Sequence, residues 1–551
     1  MTTFAWLLRQ IGVDAVFDAM LTWDPKQCKL SPGTRLLALV LAVLFEHTAL
    51  YRVEQVFAHQ DLPVLFGPEV AAADFNDDAL GRALDKLAAA PAGPATVFTT
   101  ITTRIWNHEG IPLEHLHGDT SAVAVYGQYR GSPTELHIVR GHSKEHRPDL
   151  PQIGLGYVNS PEGIPLLADV HDGNLSDNTW NHQVIDRLAQ LLPDEQLRRI
   201  VYTADCKLVS PDNLLAMEHK ELTWLSRLPD TYGAADRIRD LAWAADRWDA
   251  PAPVAAGPRV SRYKLCEFAD VVLSTDPKHP LAARRYRAIA VHSSSLQAKA
   301  QHRQVEELAA EVAALDAAPW AEAVFPSEDT ALRQATAILN KLRLRYHRLE
   351  LAPVETSLPG KRSPGRPRKD APPPTPRTGY RLQAQVIPPD PDELQRRIRR
   401  AATFVLVTND RQHTPRELLR TYKGQQEAVE IPFHRTKALP VAPVFLDRPE
   451  RVRAMGYVLL TAYAAYAILQ RRVRHRLVER HESFISWDNR LNPRPTANVV
   501  MQHLDEIRTE IVQEGTDTVR VIKLTDPARY LLELLGVPLE MFGEVRTADG
   551  P

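Results

Sequence analysis

Between residues 101 and 230 the sequence places short apolar, β-branched stretches on either side of a single helical stretch. The strand-like segments are SAVAVYGQY after Asp119, TELHIVRG around His137, IGLGYVNS around Gly156, RRIVYTAD ending at Asp205, and ELTWLSRLP around Trp224. A helix is predicted from about residue 181 to 192, between the third and fourth of these segments. Strands joined by turns, then a helix, then further strands, indicate an α/β fold with a mixed sheet.

Other kinds of sequence surround this core. Residues 1–100 are predicted to form a helical domain, in which Ser31 caps a helix that begins at Pro32. The core is expected at 101–230 and again at 376–480, with an insertion at 231–375 and a C-terminal extension at 481–551. The predicted fold class is therefore α/β, a ribonuclease-H-like mixed-sheet core that is interrupted by a large insertion and follows an all-helical domain.

The insertion combines helical patterns with a linker. Apolar residues recur at helical spacing in two stretches, Val305, Leu308, Val312 and Leu315, then Leu332, Ala335, Leu339 and Leu342. This spacing predicts a helical hairpin. Residues 351–376 are rich in proline and basic residues, and are expected to form a linker that does not pack.

The formal net charge of −1, taken alone, argues against a polybasic nucleic-acid binder. The charge is unevenly distributed, however. Residues 361–480 carry 25 Lys and Arg against 11 Asp and Glu, a balance of +14, so the rest of the chain carries −15. A segment of this charge suits a phosphate backbone, and its binding to DNA is expected to weaken as salt rises.

The apolar and cysteine content bears on location. The longest apolar run, Ala454–Leu469, has sixteen residues, fewer than the ~20 of a membrane span, and is predicted to be a buried core helix. Cys28, Cys206 and Cys266 lie far apart, which favours a reducing compartment over a disulfide framework or a zinc site. The N-terminal segment shows no signal-peptide cleavage pattern. We expect a cytoplasmic protein that does not bind a membrane.

Three acidic residues stand in positions that suit a metal site. Asp119 heads one strand-like segment, Asp205 ends another, and Glu430 lies in the helical stretch YKGQQEAVEIPFHRTK. Carboxylates at strand ends are natural ligands of a hard cation such as Mg²⁺, and bound cations relieve the repulsion between gathered carboxylates. Two such ions ~3.5–4 Å apart can hold the attacking and leaving oxygens of a phosphoryl transfer.

Several motifs, in a fixed order, resemble those of the insertion-sequence DDE transposases, specifically the group with a Tyr-x2-Arg-x3-Glu-x6-Lys signature. HGDTS around Asp119 resembles the first acidic motif, YTADCKLVSPDN the second, and YKGQQEAVE followed by Lys437 the third. GHSKEHRPDLPQ and GIPLLADVHDGNLSD resemble the connection after the first motif. CKLSPGTRLLALVL, LYRVEQVF and FNDDALGRALDKL resemble the N-terminal helical module of one branch. The resemblance covers roughly residues 1–480.

This resemblance implies a ribonuclease-H-like core in which Asp119, Asp205 and Glu430 hold two Mg²⁺ ions, with Mn²⁺ as the alternative metal. Such enzymes hydrolyse one DNA strand at the end of the element and then direct the 3′-hydroxyl at a new phosphodiester. Some relatives pass through a DNA hairpin. The implied partner is double-stranded DNA, both element ends and target site, bound by a homodimer that pairs two ends. The protein contributes positioning and charge neutralisation.

The third motif departs from the family pattern. Glu430 and Lys437 keep the six-residue gap, which places Glu430, His434 and Lys437 along one face of a helix. Tyr422 precedes Glu430 by eight residues rather than seven, and Gln425 stands where the arginine is expected. Tyr422, His434 and Lys437 are the predicted DNA contacts of this motif.

Two further residues leave alternatives open at the third acid. Glu427 is the competing acid, and Glu430 is preferred because of its spacing to Lys437. Pro432, in a helix interior, would remove the hydrogen bond to the carbonyl of Ala428 and kink the chain, at a cost of ~3 kcal/mol. Either a new helix begins near Glu430, or the site is strained, or this copy is impaired.

The linker contains the sequence GRPRK, which resembles the core of an AT-hook. In such a segment an extended Arg-Pro-Arg run lies in a narrow minor groove, whose negative potential favours inserted arginines. Arg366, Arg368 and Lys369 are therefore predicted DNA contacts, with an ordinary basic linker as the alternative.

Two other functions compete with that of an active transposase. A catalytically silent DNA-binding descendant is the first, because Gln425 and Pro432 depart from the pattern. A metal-dependent DNA nuclease that cuts without joining is the second. A strand-transfer assay separates the three.

Overall fold

The protein is mixed α/β, with a large mixed sheet and many helices, as predicted. The structure, a computed structural model, describes residues 1–45, 49–125, 129, 136–141, 149–254, 260–317, 320, 322–360, 375–430, 446, 448–485, 490–514, 517–542 and 544–545. The chain divides into two units. Unit 1 comprises residues 1–229 and 408–551, and unit 2 comprises residues 230–407.

The N-terminal part of unit 1 is helical. Its helices are α1 Thr2–Ile11, α2 Val13–Met20, α3 Pro32–Phe45, α4 Val53–Ala58, α5 Leu62–Phe66, α6 Asp77–Ala88 and α7 Pro94–Glu109, with 3₁₀ turns at Leu50–Arg52 and Ala72–Phe75. The prediction for α3 is confirmed, because the helix begins at Pro32 and the N–H of Thr34 donates to Ser31 Oγ at 3.0 Å. That hydrogen bond satisfies one of the backbone donors that a helix leaves unpaired at its start.

The next part of unit 1 contains the strands that position the predicted acids. The elements are β1 His115–Ala124, β2 Gln152–Asn159, β3 Pro165–Asp172, α8 Asp177–Leu191, α9 Asp194–Leu197, β4 Val201–Ala204, α10 Pro211–His219 and β5 Thr223–Arg227. The strands lie side by side in the order β3-β2-β1-β4-β5. β1, β2 and β3 are antiparallel, whereas β1, β4 and β5 are parallel, so the sheet is mixed.

One of the three antiparallel strands differs from the prediction: β3, Pro165–Asp172, takes the place of the segment TELHIVRG. The prediction of a strand in TELHIVRG is wrong, since its described part, residues 136–141, forms only an isolated bridge between Val139 and Gln152. The tight turn at Gly163, where φ is 81°, instead leads from β2 straight back along β3. Asp172, at the end of β3, accepts the backbone N–H of His137 at 2.9 Å and so fastens the 136–141 segment to that strand.

Unit 2 has its own strands and helices. They are α11 Gly233–Ala245, β6 Ala252–Pro253, β7 Arg262–Val271, β8 Tyr286–Ser293, α12 Ser294–Asp316, β9 Val324–Phe325, α13 Glu328–Lys341, β10 Arg348–Leu358, β11 Arg377–Ile387, α14 Pro391–Ala402 and β12 Thr403–Thr408. One set of strands runs in the order β12-β8-β7-β6, and a second in the order β10-β11-β9. The buried Arg239 joins α11 to β12, because its Nε donates to the Thr403 carbonyl at 2.9 Å.

Both helices of the predicted hairpin are present as α12 and α13, but their regular apolar positions are not all buried. Val305 and Val312 of α12 are 65% and 44% exposed. The adjacent side of α12 is buried instead, with Gln304, Glu311 and Leu315, and Glu311 accepts the backbone N–H groups of Tyr346 and His347, at 3.1 and 3.0 Å. These hydrogen bonds turn α12 so that only part of the apolar pattern, including Leu315, faces inward.

The prediction that residues 351–376 form an unpacked linker is wrong for its first part. Residues 351–358 belong to β10, which pairs with β11 along its whole length, from Arg348 opposite Ile387 to Leu358 opposite Arg377. The pairing buries apolar side chains of both strands in a small core with α13, formed by Leu315, Trp320, Ala331, Ala335, Ile338, Leu349 and Leu382. The alternation of apolar and polar residues from 348 to 358 therefore outweighs the proline content.

The C-terminal part of unit 1 is built around one long helix. Its elements are α15 Pro415–Gln425, a π-helical turn at Gln426–Glu430 (the π segment), α16 Pro449–Arg480, β13 Phe484–Ile485, β14 Leu491–Asn492, α17 Ala497–Leu504, β15 Arg508–Glu514, β16 Asp517–Lys523, α18 Asp526–Leu535 and β17 Glu544–Val545. Helix α16 packs on α3, α6 and β3.

The apolar run Ala454–Leu469 is a buried core helix, as predicted, because it lies wholly within α16. By length and composition α16 would also suit a membrane span, but 89% of its most apolar window is buried inside the protein. Close packing on β3 requires a glycine, since a Cβ on Gly456 would lie 2.7 Å from a methyl group of Val170. Five residues earlier in α16, Arg451 binds both carboxylate oxygens of Asp85 on α6, at 2.6 and 2.7 Å.

Candidate active site

The two predicted aspartates lie on neighbouring strands at the same level. Asp119 is in β1, and Asp205 directly follows β4 with its backbone still extended, at φ −65° and ψ 179°. Gly118 and Ala204 are register partners in the parallel β1–β4 pair. The next residue of each chain is an aspartate, and neighbouring strands are ~4.8 Å apart. The sheet therefore brings the first two predicted acids side by side.

Local hydrogen bonds orient both carboxylates. Asp119 Oδ1 accepts the N–H of Thr120 at 2.8 Å, and Asp205 Oδ1 accepts the N–H of Lys207 at 3.0 Å. Asp205 also caps the 3₁₀ turn Cys206–Leu208 that ends the strand. Both side chains are partly exposed, so they can reach a ligand while their backbone stays in place.

The negative charges of Asp119 and Asp205 both act on the phenol of Tyr202. Burial raises the pKa of Tyr202 well above its ordinary value, and the charges of Asp205 and Asp119 raise the pKa further. Its hydroxyl donates to Asn181 Oδ1 at 2.8 Å. A Cβ on Gly118 would lie 2.1 Å from the same hydroxyl, so β1 can approach β4 only with glycine at this position.

The face of the sheet that carries the aspartates is covered by α15. Side chains alternate along a strand, so His115, His117 and Asp119 point to one face. The rings of His115 and His413 lie 5.7 Å apart, and a Cβ on Gly424 would be 3.9 Å from the ring of His117. Burial lowers the pKa of His117 to about 3, so this ring is neutral in the folded chain. The segment from 413 to 424 thus runs over the aspartate face.

Two side-chain hydrogen bonds attach the end of α15 and the π segment to this face. Gln425 Nε2 donates to the carbonyl of Gly118 at 3.5 Å, immediately before Asp119. Asn159, the last residue of β2, donates from Nδ2 to the carbonyl of Ala428 at 2.7 Å. Ala428 and Val429 are fully buried. A π turn is rare and is often found at functional sites, and this one ends at Glu430.

The described residues include only part of the predicted third motif. The backbone of Glu430 is described but its side chain is not, and Pro432, His434 and Lys437 lie outside the described residues. Tyr422 lies on α15, partly buried. The predicted linker contacts Arg366, Arg368 and Lys369 also lie outside the described residues.

The competing acid, Glu427, lines a cavity of mixed charge beside α16. Its carboxylate accepts from Arg494 Nη2 at 3.3 Å, and its side chain is 58% exposed. The cavity has a volume of about 400 Å³ and is also lined by Arg471 and Arg474 of α16. Glu427 is therefore paired with Arg494, a cation that would compete with a metal ion for this carboxylate.

The donors present fit a hard cation. Asp119, within β1, and Asp205, directly after β4, supply carboxylate oxygens at the same level of the sheet, the ligand type that Mg²⁺ and Mn²⁺ prefer. Among the side chains that the structure describes, no three His, Cys, Asp or Glu residues form a metal-binding group. The predicted third ligand, Glu430, is not among those side chains.

Sequence reasoning missed Asn159 and Tyr202 as parts of this site. Both are fully buried, and both act through partners on other elements, Ala428 and Asn181. The available signal for Asn159 was a polar residue that closes an otherwise apolar strand. Tyr202 gives no such signal, because a tyrosine in an apolar strand is typical of a core.

Residues 3–103 match a family described as a domain of unknown function, DUF4277. No curated protein matches the sequence significantly. A solved structure similar to this one is the piggyBac transposase synaptic complex with hairpin DNA, at 11% identity and a TM-score of 0.36, covering 97% of this chain and 86% of that chain. These values are too low to transfer a function.

Proposed function

We propose that this chain is a DNA transposase of the DDE type, which cleaves the ends of an insertion sequence and joins the 3′-hydroxyls to target DNA. The observation that carries the proposal is the pairing of Asp119 with Asp205 on the sheet face that α15 and the π segment cover. The π segment ends at Glu430, the proposed third acid. Three carboxylates from these elements suit metal-dependent phosphoryl transfer.

The strand order supports a ribonuclease-H-like core. The order β3-β2-β1-β4-β5, with β1 to β3 antiparallel and β4 and β5 parallel to β1, agrees with the element order predicted for that fold. In this proposal the first acid lies on the central strand, the second follows the adjacent parallel strand, and the third lies on the helical segment that returns over the sheet. Unit 2, residues 230–407, then contains the proposed insertion at 231–375.

Mg²⁺, or Mn²⁺ as the alternative, is the proposed metal, and Asp119, Asp205 and Glu430 would hold it. A divalent cation at such carboxylates neutralises charge on the phosphate and activates an oxygen nucleophile. The chain's own contribution is to hold the carboxylates in place. Hydrogen bonds from the N–H groups of Thr120 and Lys207 orient two of them.

Double-stranded DNA is the proposed substrate, bound as element ends and as target by a homodimer. The balance of +14 in residues 361–480 supports contact with a phosphate backbone. The proposed contacts are Tyr422, His434 and Lys437 near the third acid, and Arg366, Arg368 and Lys369 between β10 and β11.

The test is cleavage of DNA taken from the two flanks of the gene, incubated with the full chain and Mg²⁺. We expect the wild type to cut at the element ends. Asp119→Ala, Asp205→Ala and Glu430→Ala should each lower cleavage by at least about 10³-fold, since each removes a metal ligand, while end binding survives. Wild-type-like cleavage by any of the three would overturn the assignment of that residue.

Glu427→Gln is the matched control for Glu430→Gln. Glu427 is three residues away in the same π segment and is paired with Arg494. We expect Glu427→Gln to keep cleavage within a few-fold of the wild type, and the opposite ranking would make Glu427 the third acid. A wild type that binds the ends but never cuts them would instead identify a catalytically silent descendant.

A further inference from the structure

Asn159 is a fully buried polar residue at the junction of β2 and the π segment. It is the register partner of His117, so it lies on the sheet face that also carries Asp119. Its Nδ2 donates to the carbonyl of Ala428, 269 residues away in sequence, at 2.7 Å. A second hydrogen bond from this region to the sheet, from Gln425 to the Gly118 carbonyl of β1, is longer, at 3.5 Å.

The carbonyl of Ala428, to which Asn159 donates, is one that an α-helix could not satisfy here. In a continuing α-helix the carbonyl of Ala428 would accept the N–H of residue 432, but residue 432 is a proline and has no N–H. A buried carbonyl left without a donor costs about 1–3 kcal/mol. The carbonyl of Ala428 is buried, and the side-chain amide of Asn159 supplies the donor that Pro432 cannot.

We infer that Asn159 is a positioning residue for the third acid. Its amide fixes the backbone of the π segment two residues before Glu430, and holds it on the face where Asp119 and Asp205 lie side by side. The inference rests on the proposed function, because it assigns Glu430 to the same metal site. Pro432 is consistent with this role, since it has no N–H to donate to the carbonyl that Asn159 binds.

If Asn159 positions the third acid, its loss should reduce cleavage and weaken Mg²⁺ binding without weakening DNA binding. Asn159→Ala removes the donor without altering a carboxylate or a DNA contact. We expect single-turnover end cleavage to fall by about 10²-fold, the usual result of a small misplacement of a reacting group. The Mg²⁺ concentration for half-maximal cleavage should rise, while affinity for the ends stays within about threefold of the wild type.

A second substitution tests the mechanism directly. Pro432→Ala restores a backbone N–H at the position where a helix would use it. In the Asn159→Ala background it should recover at least about tenfold of the lost cleavage, and the half-saturating Mg²⁺ concentration should return toward the wild-type value. A merely structural role for Asn159 predicts that cleavage recovers only in proportion to stability, with no change in the half-saturating Mg²⁺ concentration.

Thr102→Ala is the matched control. Thr102 is also fully buried, and its Oγ1 donates to the carbonyl of Leu166 at 2.7 Å, but it lies on α7. This variant should be destabilised to a similar degree as Asn159→Ala while cleaving like the wild type. Equal losses of cleavage in the two variants, matched to equal losses of stability, would overturn the positioning role.

Hydrogen exchange measured on the full chain separates this inference from the proposed function. Asn159→Ala should speed amide exchange in the peptide spanning residues 424–431, and adding Pro432→Ala should slow it again. Unchanged exchange would overturn the inference even in an active enzyme. The third outcome is the expected exchange pattern together with a wild type that never cuts DNA. The contact between Asn159 and the π segment would then stand, but the proposed function and the catalytic part of the role of Asn159 would be overturned.

Discussion

The hydroxyl of Tyr202 lies where β1 and β4 come closest, beside the residue that precedes Asp119. It is fully buried and donates to Asn181. The space between it and Gly118 is too small for a methyl group. The spacing of the two aspartates therefore depends on a glycine that is not itself part of the chemistry.

Gly118→Ala should shift β1 away from β4 and separate Asp119 from Asp205. Overpacking of this kind costs about 1–3 kcal/mol, so we expect a lower midpoint of urea unfolding and a loss of end cleavage greater than the loss of folded protein. Gly233→Ala is the control, because its Cβ would meet its nearest atom, on Arg237, at 3.8 Å. Equal cleavage by Gly118→Ala and wild type would show that this spacing is not needed.

The residues of the site differ in how well the sequence predicts them. Asp119 and Asp205 were predicted from places at strand ends. This is correct for Asp205, which follows β4, and wrong for Asp119, which lies within β1 because that strand begins at His115, but the register brings the two together. Asn159 was not predicted. Its function depends on its pairing with His117 of β1 and on its hydrogen bond to the carbonyl of Ala428, which is far away in sequence. Strand register and side-chain reach are set by tertiary packing, which local patterns do not encode.

At the scale of elements, apolar periodicity predicted well which segments form helices, but predicted poorly which side of a helix is buried. It predicted α16 as a core helix and the two helices α12 and α13. It failed for the inward side of α12, where the hydrogen bonds of Glu311 outweigh the exposure of Val305 and Val312. It also failed to choose between TELHIVRG and β3, because the tight turn after β2 decides which segment pairs with it.

The contact between α6 and α16 makes a prediction about pH. The hydrogen bond from Arg451 is the main cause that lowers the pKa of Asp85 below its ordinary value of 3.8. The folded chain therefore binds this proton less readily than the unfolded chain. The stability from the pair is fully present above the unfolded pKa, and is lost as pH falls through the lower, folded pKa.

We expect Arg451→Gln to lower the free energy of unfolding by about 1 kcal/mol at pH 7, because the pair is partly exposed, and by much less near pH 2.5. Urea unfolding at both pH values measures the difference. Arg199→Gln, which disrupts a highly exposed pair with Glu195, should have little effect at either pH. If Arg451→Gln lowered the free energy of unfolding equally at both pH values, the assignment of the lowered Asp85 pKa to Arg451 would be contradicted.

At the scale of the whole molecule, charge separates the chain into a basic segment and an acidic remainder. The net charge of −1 hides a balance of +14 over residues 361–480. The N-terminal residues 1–100 carry 7 basic and 11 acidic residues and so add no positive potential. DNA binding is therefore expected to depend on the basic segment.

The salt dependence of DNA binding tests this expectation. The logarithm of the binding constant should fall with the logarithm of salt concentration by about 0.9 for each phosphate neutralised. The triple variant Arg366→Ala, Arg368→Ala and Lys369→Ala should make that slope shallower by up to about 3. The control variant Lys26→Ala, Arg52→Ala and Arg82→Ala removes exposed cations of the acidic N-terminal region and should leave the slope unchanged.

Strand transfer tests the central claim most directly. The full chain is incubated with Mg²⁺, DNA that carries the element ends from the flanks of the gene, and a supercoiled target plasmid, and the products are sequenced. We predict joined molecules in which the element's 3′ ends are linked to target DNA, and none from Asp119→Ala or Asp205→Ala. Cut ends without joined products would indicate a nuclease and contradict the claim, as would joined products from either aspartate variant.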